Sequence, residues 1–243
     1  MDWPFEILVI GHIISGTIGL VSFWIPVLTK KGGSNHRRFG RIFVNMMLLT
    51  GAIAIGISTC TLIDPLGTHP HLDDAAMVTG IFGWMMLYLA TLTINLAWYG
   101  KLCIDNKRDH AGNRAWHNLA LQIILTITAL NCAVQGWRID QPLMIGMSII
   151  GFATAGTNVA FIYKNDPRPP AWLKEHIKGL VGAGISVYTA FFAFGAVRLM
   201  PELALSPFLW SIPLITGLAI IMYQWRKLGW LQARQTRPAP STF

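Results

Sequence analysis

The sequence predicts an all-α fold, a seven-helix transmembrane bundle with its N-terminus outside and its C-terminus cytoplasmic. Three observations carry that expectation. Of 243 residues, 53% are hydrophobic and only 12% are charged, whereas an ordinary soluble domain carries about 25% charged residues. Seven apolar stretches approach the roughly 20 residues needed to cross a hydrocarbon core of about 30 Å. Lys and Arg recur at alternate links between those stretches rather than on one segment, as cytoplasmic loops of membrane proteins do.

The first span is read over Phe5–Thr29, with His12 inside it, and leads into a short basic loop. The second span is read over Arg41–Ile63, the third over Ala75–Tyr99 and the fourth over Trp116–Trp137. A short link, Arg138–Gln141, turns the chain into the fifth span, Pro142–Tyr163. The sixth is read over Glu175–Met200 and the seventh over Pro207–Trp225. Residues 1–230 thus form one membrane domain, and the polar tail 231–243 is expected to be disordered because it has little apolar surface to bury. The opening MDWPFEIL has neither a basic n-region nor a small-residue cleavage site, so the first span is expected to stay in place.

Sorting the charges by link fixes the orientation. The links after the first, third and fifth spans, together with the tail, hold 17 of the 19 basic residues, and only Arg138 and Arg198 fall on the other side. The positive-inside rule then places the N-terminus out and the C-terminus in. Trp and Tyr cluster near span ends, among them Trp3, Trp24, Trp116, Trp137 and Tyr163, as expected of an interfacial aromatic belt. Small residues recur within spans: Gly146, Gly151 and Gly156 in the fifth, Gly179, Ala183, Ser186 and Ala190 in the sixth. Such faces let helix backbones approach closely.

This patterning excludes several classes. A net charge of +8 spread over alternate loops belongs to a membrane protein, not a nucleic-acid binder, so the expected partners are the lipid bilayer and anionic phospholipid head groups, and the expected place is the bacterial inner membrane. Cys60, Cys103 and Cys132 form no CxxC pair and no zinc-finger spacing; Cys60 and Cys132 both lie near outer span ends, where a disulfide is conceivable. No Asp, Glu, Lys or Arg sits at the centre of a span, where proton pumps and many ion-coupled carriers place one.

The histidines are the remaining chemistry. His36, His117 and His176 each stand at the cytoplasmic start of an even-numbered span, at similar depth. Three neutral imidazoles plus water make a zinc site, and two on facing helices can ligate haem iron. The plainer reading is an interfacial anchor, with Arg37, Arg38 and Arg41 beside His36 holding a lipid phosphate. A second candidate site gathers His12, His69, His71 and Asp73, imidazoles and a carboxylate suited to a divalent metal, against a plain solvated loop whose Asp73 and Asp74 cap the third span. Polar stripes on the third to fifth spans, Tyr88, Asn95, Thr128, Asn131, Gln135 and Asn158, are candidates to line a small-molecule cavity, and interhelical hydrogen bonds would explain them as well.

These motifs also carry a resemblance. H-x-x-S-G at His12, H-R-R-x-G-R at His36, a histidine entering the fourth span and H-I-K-G-L-V-G-A-G from His176 resemble a bacterial family of multi-pass membrane proteins of unknown function. The likeness covers most of the chain and implies that the histidine positions matter. A looser analogy is to seven-helix hydrolases similar to ceramidases, which use three histidines and zinc, although the seventh span here has no histidine. The expected function is therefore a histidine-ligated zinc or haem centre at the cytoplasmic end, in redox or hydrolase chemistry. The alternatives are a small-molecule carrier or receptor, and an accessory subunit with no site of its own.

Overall fold

The structure, a computed structural model, describes residues 2–165, 167, 171–192 and 207–235. Among them every regular element is helical. The order is α1 (Asp2–Leu28), α2 (Ser34–Ile63), α3 (Pro65–Thr68), α4 (Ala75–Val78), a π-helical stretch (Thr79–Met85), α5 (Met86–Asp105), a 3-10 turn (His110–Arg114), α6 (Trp116–Arg138), α7 (Pro142–Ile162), α8 (Ala171–Ala190) and α9 (Pro207–Gln235). The third predicted span is thus α4, the π-helical stretch and α5 in one continuous rod. Five rods are long and apolar enough to cross a membrane: Trp3–Leu28, Ser34–Ile63, Ala75–Asp105, Trp116–Arg138 and Pro142–Ile162. Over their described residues α8 and α9 do not reach the same combination of length and apolarity.

One boundary that differs from the expected ones is the end of the last span. α9 continues through Gln235, so the first residues of the expected disordered tail are helical; an amphipathic continuation needs no turn signal to stop it, and none occurs before Pro238. The end of the sixth span, Arg198 and Glu202, and the acids and cations at Asp166 and Arg168 lie outside the described residues, as does the tail beyond 235.

α5 is the axis of the bundle. It packs against α2 on one side, α8 on another and α6 on a third, and buries Tyr88, Leu89, Leu92, Leu96, Ala97 and Tyr99. α1 pairs with α2, α6 with α7 and α8 with α9. The outer faces are apolar: Ile7, Ile10, Ile14 and Val21 on α1 and Ile123, Ile127 and Leu130 on α6 are all exposed. Water does not favour such continuous apolar faces, and hydrocarbon does. Trp3, Trp116 and Trp137 stand exposed at helix ends, at the depth where indole rings favour a membrane interface.

One contact sets the α5–α8 spacing. A Cβ on Gly179 would lie 2.7 Å from the Gly100 Cα, and one on Gly100 would lie 3.0 Å from the Leu180 backbone nitrogen, so the two backbones touch and only glycine fits on both sides. The small stripe expected on the fifth span is only partly used. Gly151 packs against Tyr88, but Gly146 and Gly156 have open space beside them, because α7 turns its Met144, Ser148, Ala155 and Asn158 face inward instead. In the loop after α1, Gly32 adopts φ +74, a left-handed turn that favours glycine. That turn swings the start of α2 back over the end of α1.

Candidate functional site

A cavity of about 980 Å³ lies between α1, α2, α8 and α9, near the end expected to be cytoplasmic. Its depth is apolar, with Phe23, Val27, Phe43, Leu180, Val181 and Ile220. Its mouth carries Lys30, Lys31, Arg37, Lys107 and Lys227, and among the described residues no Asp or Glu lines it. Partial burial, then the nearby Lys227 ammonium, holds the Lys31 amine below its ordinary pKa. Lys31 also donates to the Pro26 carbonyl at 2.8 Å, one of the last carbonyls of α1, which have no helical partner. A cavity with five cations and no carboxylate attracts an anion.

Two of the three cytoplasmic-end histidines, His36 and His176, line this cavity and lie close enough to interact electrostatically. Each is oriented by a backbone carbonyl. His36 Nδ1 bonds the Pro26 oxygen at 3.0 Å, and His176 Nδ1 bonds the Gly100 oxygen at 2.8 Å. A carbonyl only accepts, so Nδ1 carries the proton in both rings. In the neutral ring the lone pair is then on Nε2, the arrangement that metal-ligating imidazoles commonly adopt. The Gly100–Gly179 contact makes the second bond, because it brings α8 near enough for His176 to reach the α5 backbone. Of the acids near this end, Asp105 pairs with Lys101, and Glu175 accepts from Tyr99 at 2.7 Å and pairs with Lys178.

His117 does not line this cavity. It packs edge-on to Trp98 and Trp116, at ring-centroid distances of 5.7 and 5.9 Å. Among the described residues no three His, Cys, Asp or Glu side chains are grouped to hold a metal ion, so the expected three-histidine zinc set is not assembled. The reason is helical phase. α6 buries Asn118, Gln122, Leu125, Ala129, Cys132 and Gly136, which turns His117 toward the outer rim.

The outer group is dispersed as well. His12 Nδ1 bonds the Thr50 carbonyl at 3.2 Å, while Thr50 donates to Ser15 at 2.9 Å, so His12 ties α1 to α2. His69 stacks on Phe82 with centroids 4.4 Å apart, and its neighbour His71 is 6.1 Å away by the same measure. His71 and Asp73 are exposed. Asp74 caps α4 by accepting from the Met77 amide at 3.0 Å. Cys60, Cys103 and Cys132 are all free, and Cys132 donates instead to the Met144 carbonyl at 3.6 Å.

The residues expected to line a cavity between the third to fifth spans are engaged in bonds. Asn158 donates to Asn95 at 3.1 Å and to Gln122 at 3.2 Å, and Asn95 donates to the Leu121 carbonyl at 3.2 Å. Tyr88 donates to the Met147 carbonyl at 2.7 Å. Gln135 and Asn131 are half-buried and bond each other at 3.5 Å, and Thr128 bonds its own helix at Ile124. The seam is a chain of amides. It extends through Asn118, which donates to the Asn113 carbonyl at 2.7 Å, to the loop between α5 and α6. Asn118 and Gln122 were missing from the expected set; their signal is that they share a register with the small residues Ala129, Cys132 and Gly136. Arg37, Arg38 and Arg41 are exposed at the start of α2, with Arg38 over the Phe39 ring.

Fold and cavity together define the class: a helical protein of the integral membrane type, with two backbone-oriented histidines facing a basic-mouthed cavity. No family model, curated protein or solved structure matches the chain.

Proposed function

We propose that the chain is a seven-span protein of the bacterial inner membrane, N-terminus outside and C-terminus cytoplasmic, that holds a haem between His36 and His176 and carries electrons. The observation that supports it most is the pair of histidines on separate helices, lining one cavity, each with Nδ1 tied to a backbone carbonyl and with no partner for Nε2 among the described residues. The cavity supplies what a haem needs besides ligands: apolar walls for the ring and cations for the two propionates. His36 and His176 would hold the group, and when bound it would supply one-electron redox chemistry. Its tuning would come from axial ligation and from the surrounding charge.

The test is direct. The protein purified in detergent should be coloured, with one haem per chain and the spectrum of a six-coordinate low-spin iron. His36→Ala and His176→Ala should each lose it, and His117→Ala should keep it. A colourless, iron-free protein, or equal loss in all three variants, sinks the assignment. Orientation has its own check: a C-terminal reporter active only in the cytoplasm should work, and a cysteine introduced in the segment 64–74 should react from outside with an impermeant thiol reagent.

A second role is supported by the basic start of α2, which shares Arg37 with the cavity mouth. Arg37, Arg38 and Arg41 are exposed, and no ion pair occupies them among the described residues. They suit an anionic phospholipid head group at the membrane surface. Flotation with vesicles containing anionic lipid, compared with neutral ones, checks this.

A further inference from the structure

The Pro26 carbonyl serves two side chains at once. His36 Nδ1 donates to it at 3.0 Å, and the Lys31 ammonium donates to it at 2.8 Å. Lys31 also donates to the Val27 carbonyl. Both oxygens belong to the last turn of α1, where carbonyls have no helical partner and cationic side chains are favoured. The left-handed turn at Gly32 brings Lys31 and His36 to this one oxygen from either side of it. His176 has no such neighbour. Its acceptor, the Gly100 carbonyl, takes no other side-chain donor among the described residues.

A carbonyl oxygen has two lone pairs, and two donors on it compete for the same electron density. The ammonium is the stronger donor, because its bond is charge-assisted. While Lys31 holds Pro26, the Nδ1–H bond of His36 is weakened, and with it the basicity that this bond lends to Nε2. Lys31 is itself exposed at the cavity mouth, close enough to the Lys227 ammonium to be repelled by it. An oxyanion there offers Lys31 a charged acceptor in place of two neutral ones and relieves the repulsion.

We propose that Lys31 is a positioning residue that couples the mouth to His36. An oxyanion bound at the mouth draws the ammonium off Pro26, and His36, left alone on that carbonyl, becomes the better ligand. The oxyanion is a carboxylate or a phosphate, whichever molecule carries it. The inference rests on the reading of His36 as a ligand made above. Such coupling is reciprocal, so ligation by His36 in turn strengthens the hold of the mouth on an anion.

The test uses the full-length protein before haem is added, with its histidines labelled for nuclear magnetic resonance, in nanodiscs of neutral lipid. Inorganic phosphate should move the His36 Nδ1 proton downfield, as its hydrogen bond strengthens, and leave that of His176 in place. In Lys31→Met the His36 proton should start at the shifted position and no longer respond. Lys31→Arg, which keeps a charged donor, should restore the response. Nanodiscs of anionic phospholipid tell a head group from a soluble oxyanion: with a head group as the source, the shift is present before phosphate is added. Haem with both propionates esterified leaves the mouth free, and phosphate should tighten its binding about fivefold, the lower end for coupled sites, but not in Lys31→Met. A His36 proton that ignores both phosphate and anionic lipid, or that still responds in Lys31→Met, overturns the coupling and leaves the haem reading standing. If neither haem nor its ester binds, the haem reading falls, and the proton shift still decides the coupling.

Discussion

The seam between α5, α6 and α7 and the cavity between α1, α2, α8 and α9 both bring polar side chains into an apolar bundle, and they treat them oppositely. In the seam, Asn95, Asn118, Gln122 and Asn158 are fully or nearly fully buried and are bound to one another or to backbone. In the cavity, among the described residues, His36 and His176 use one ring nitrogen each, and five cations stand with no acid beside them. The difference separates stability from function. The seam amides hold helices together through bonds to one another and to backbone, although the buried Asn158 Oδ1 has no partner among the described residues, whereas the two imidazoles are each oriented through one nitrogen beside an open cavity. Polarity within a span is therefore a poor guide to a site, and a polar group that borders an open cavity is a better one.

The comparison breaks first, and most severely, at the contact that spaces α5 from α8. Gly179→Leu places a side chain where the Gly100 backbone already is. It should cost about 3 kcal/mol, the upper end for overpacking, and should remove the His176–Gly100 bond with it. Unfolding in mixed detergent would read the stability, and haem content would read the bond. Retention of both would mean that the glycines do not position the histidine.

Asn158→Leu attacks the seam instead. It leaves the Asn95 and Gln122 side-chain oxygens without their donor and should destabilise by about 1–2 kcal/mol, since membrane-interior hydrogen bonds are worth less than buried ones in water suggest. Haem content should be unchanged. Loss of the pigment in this variant would show that seam and cavity are not separable. The double substitution Asn131→Ala with Gln135→Ala should shift stability by no more than about 0.5 kcal/mol, the range for sites away from buried networks, because that pair bonds only to itself at the half-buried edge.

The position of those two residues shows what was legible in the chain. The apolar lengths and the alternating charges gave the helices and their order, because composition alone decides what hydrocarbon accepts. The pairing of His36 with His176 was within reach, since both begin even-numbered spans. What could not be read was the rotation of each helix about its axis. α6 carries two polar stripes, one through His117, Thr128, Asn131 and Gln135, the other through Asn118 and Gln122. Only the second continues into Ala129, Cys132 and Gly136, which let α7 close in. Packing of small residues, not polarity, decided which stripe faces inward.

The smallest expected effect concerns the outer loop, away from both regions. Burial, and then the neighbouring His71, lowers the His69 pKa in the folded loop, while a backbone bond at Pro65 raises it in part. The folded value lies below the unfolded value of about 6.5, so the unfolded loop binds more protons in the interval between them. The contribution of His69 is complete above about pH 6.5 and is lost as pH falls through the folded value. Hydrogen exchange in 64–74 should quicken modestly as pH falls through that interval, relative to the intrinsic rate, and His69→Phe, which keeps the stack on Phe82, should remove the dependence. A profile unchanged by that substitution would assign the effect to another group.

The glycine contact has a consequence for biogenesis. His36 is oriented within the first hairpin, by a carbonyl of α1, as soon as α2 has doubled back. His176 acquires its orientation only when α8 has docked on a fully inserted α5. The two nitrogens thus come from the earliest and from a late part of the emerging chain. A ribosome-stalled product that ends before α8 would carry one oriented histidine and no cavity, and capture of the proposed haem would require both α8 and α9 to have docked.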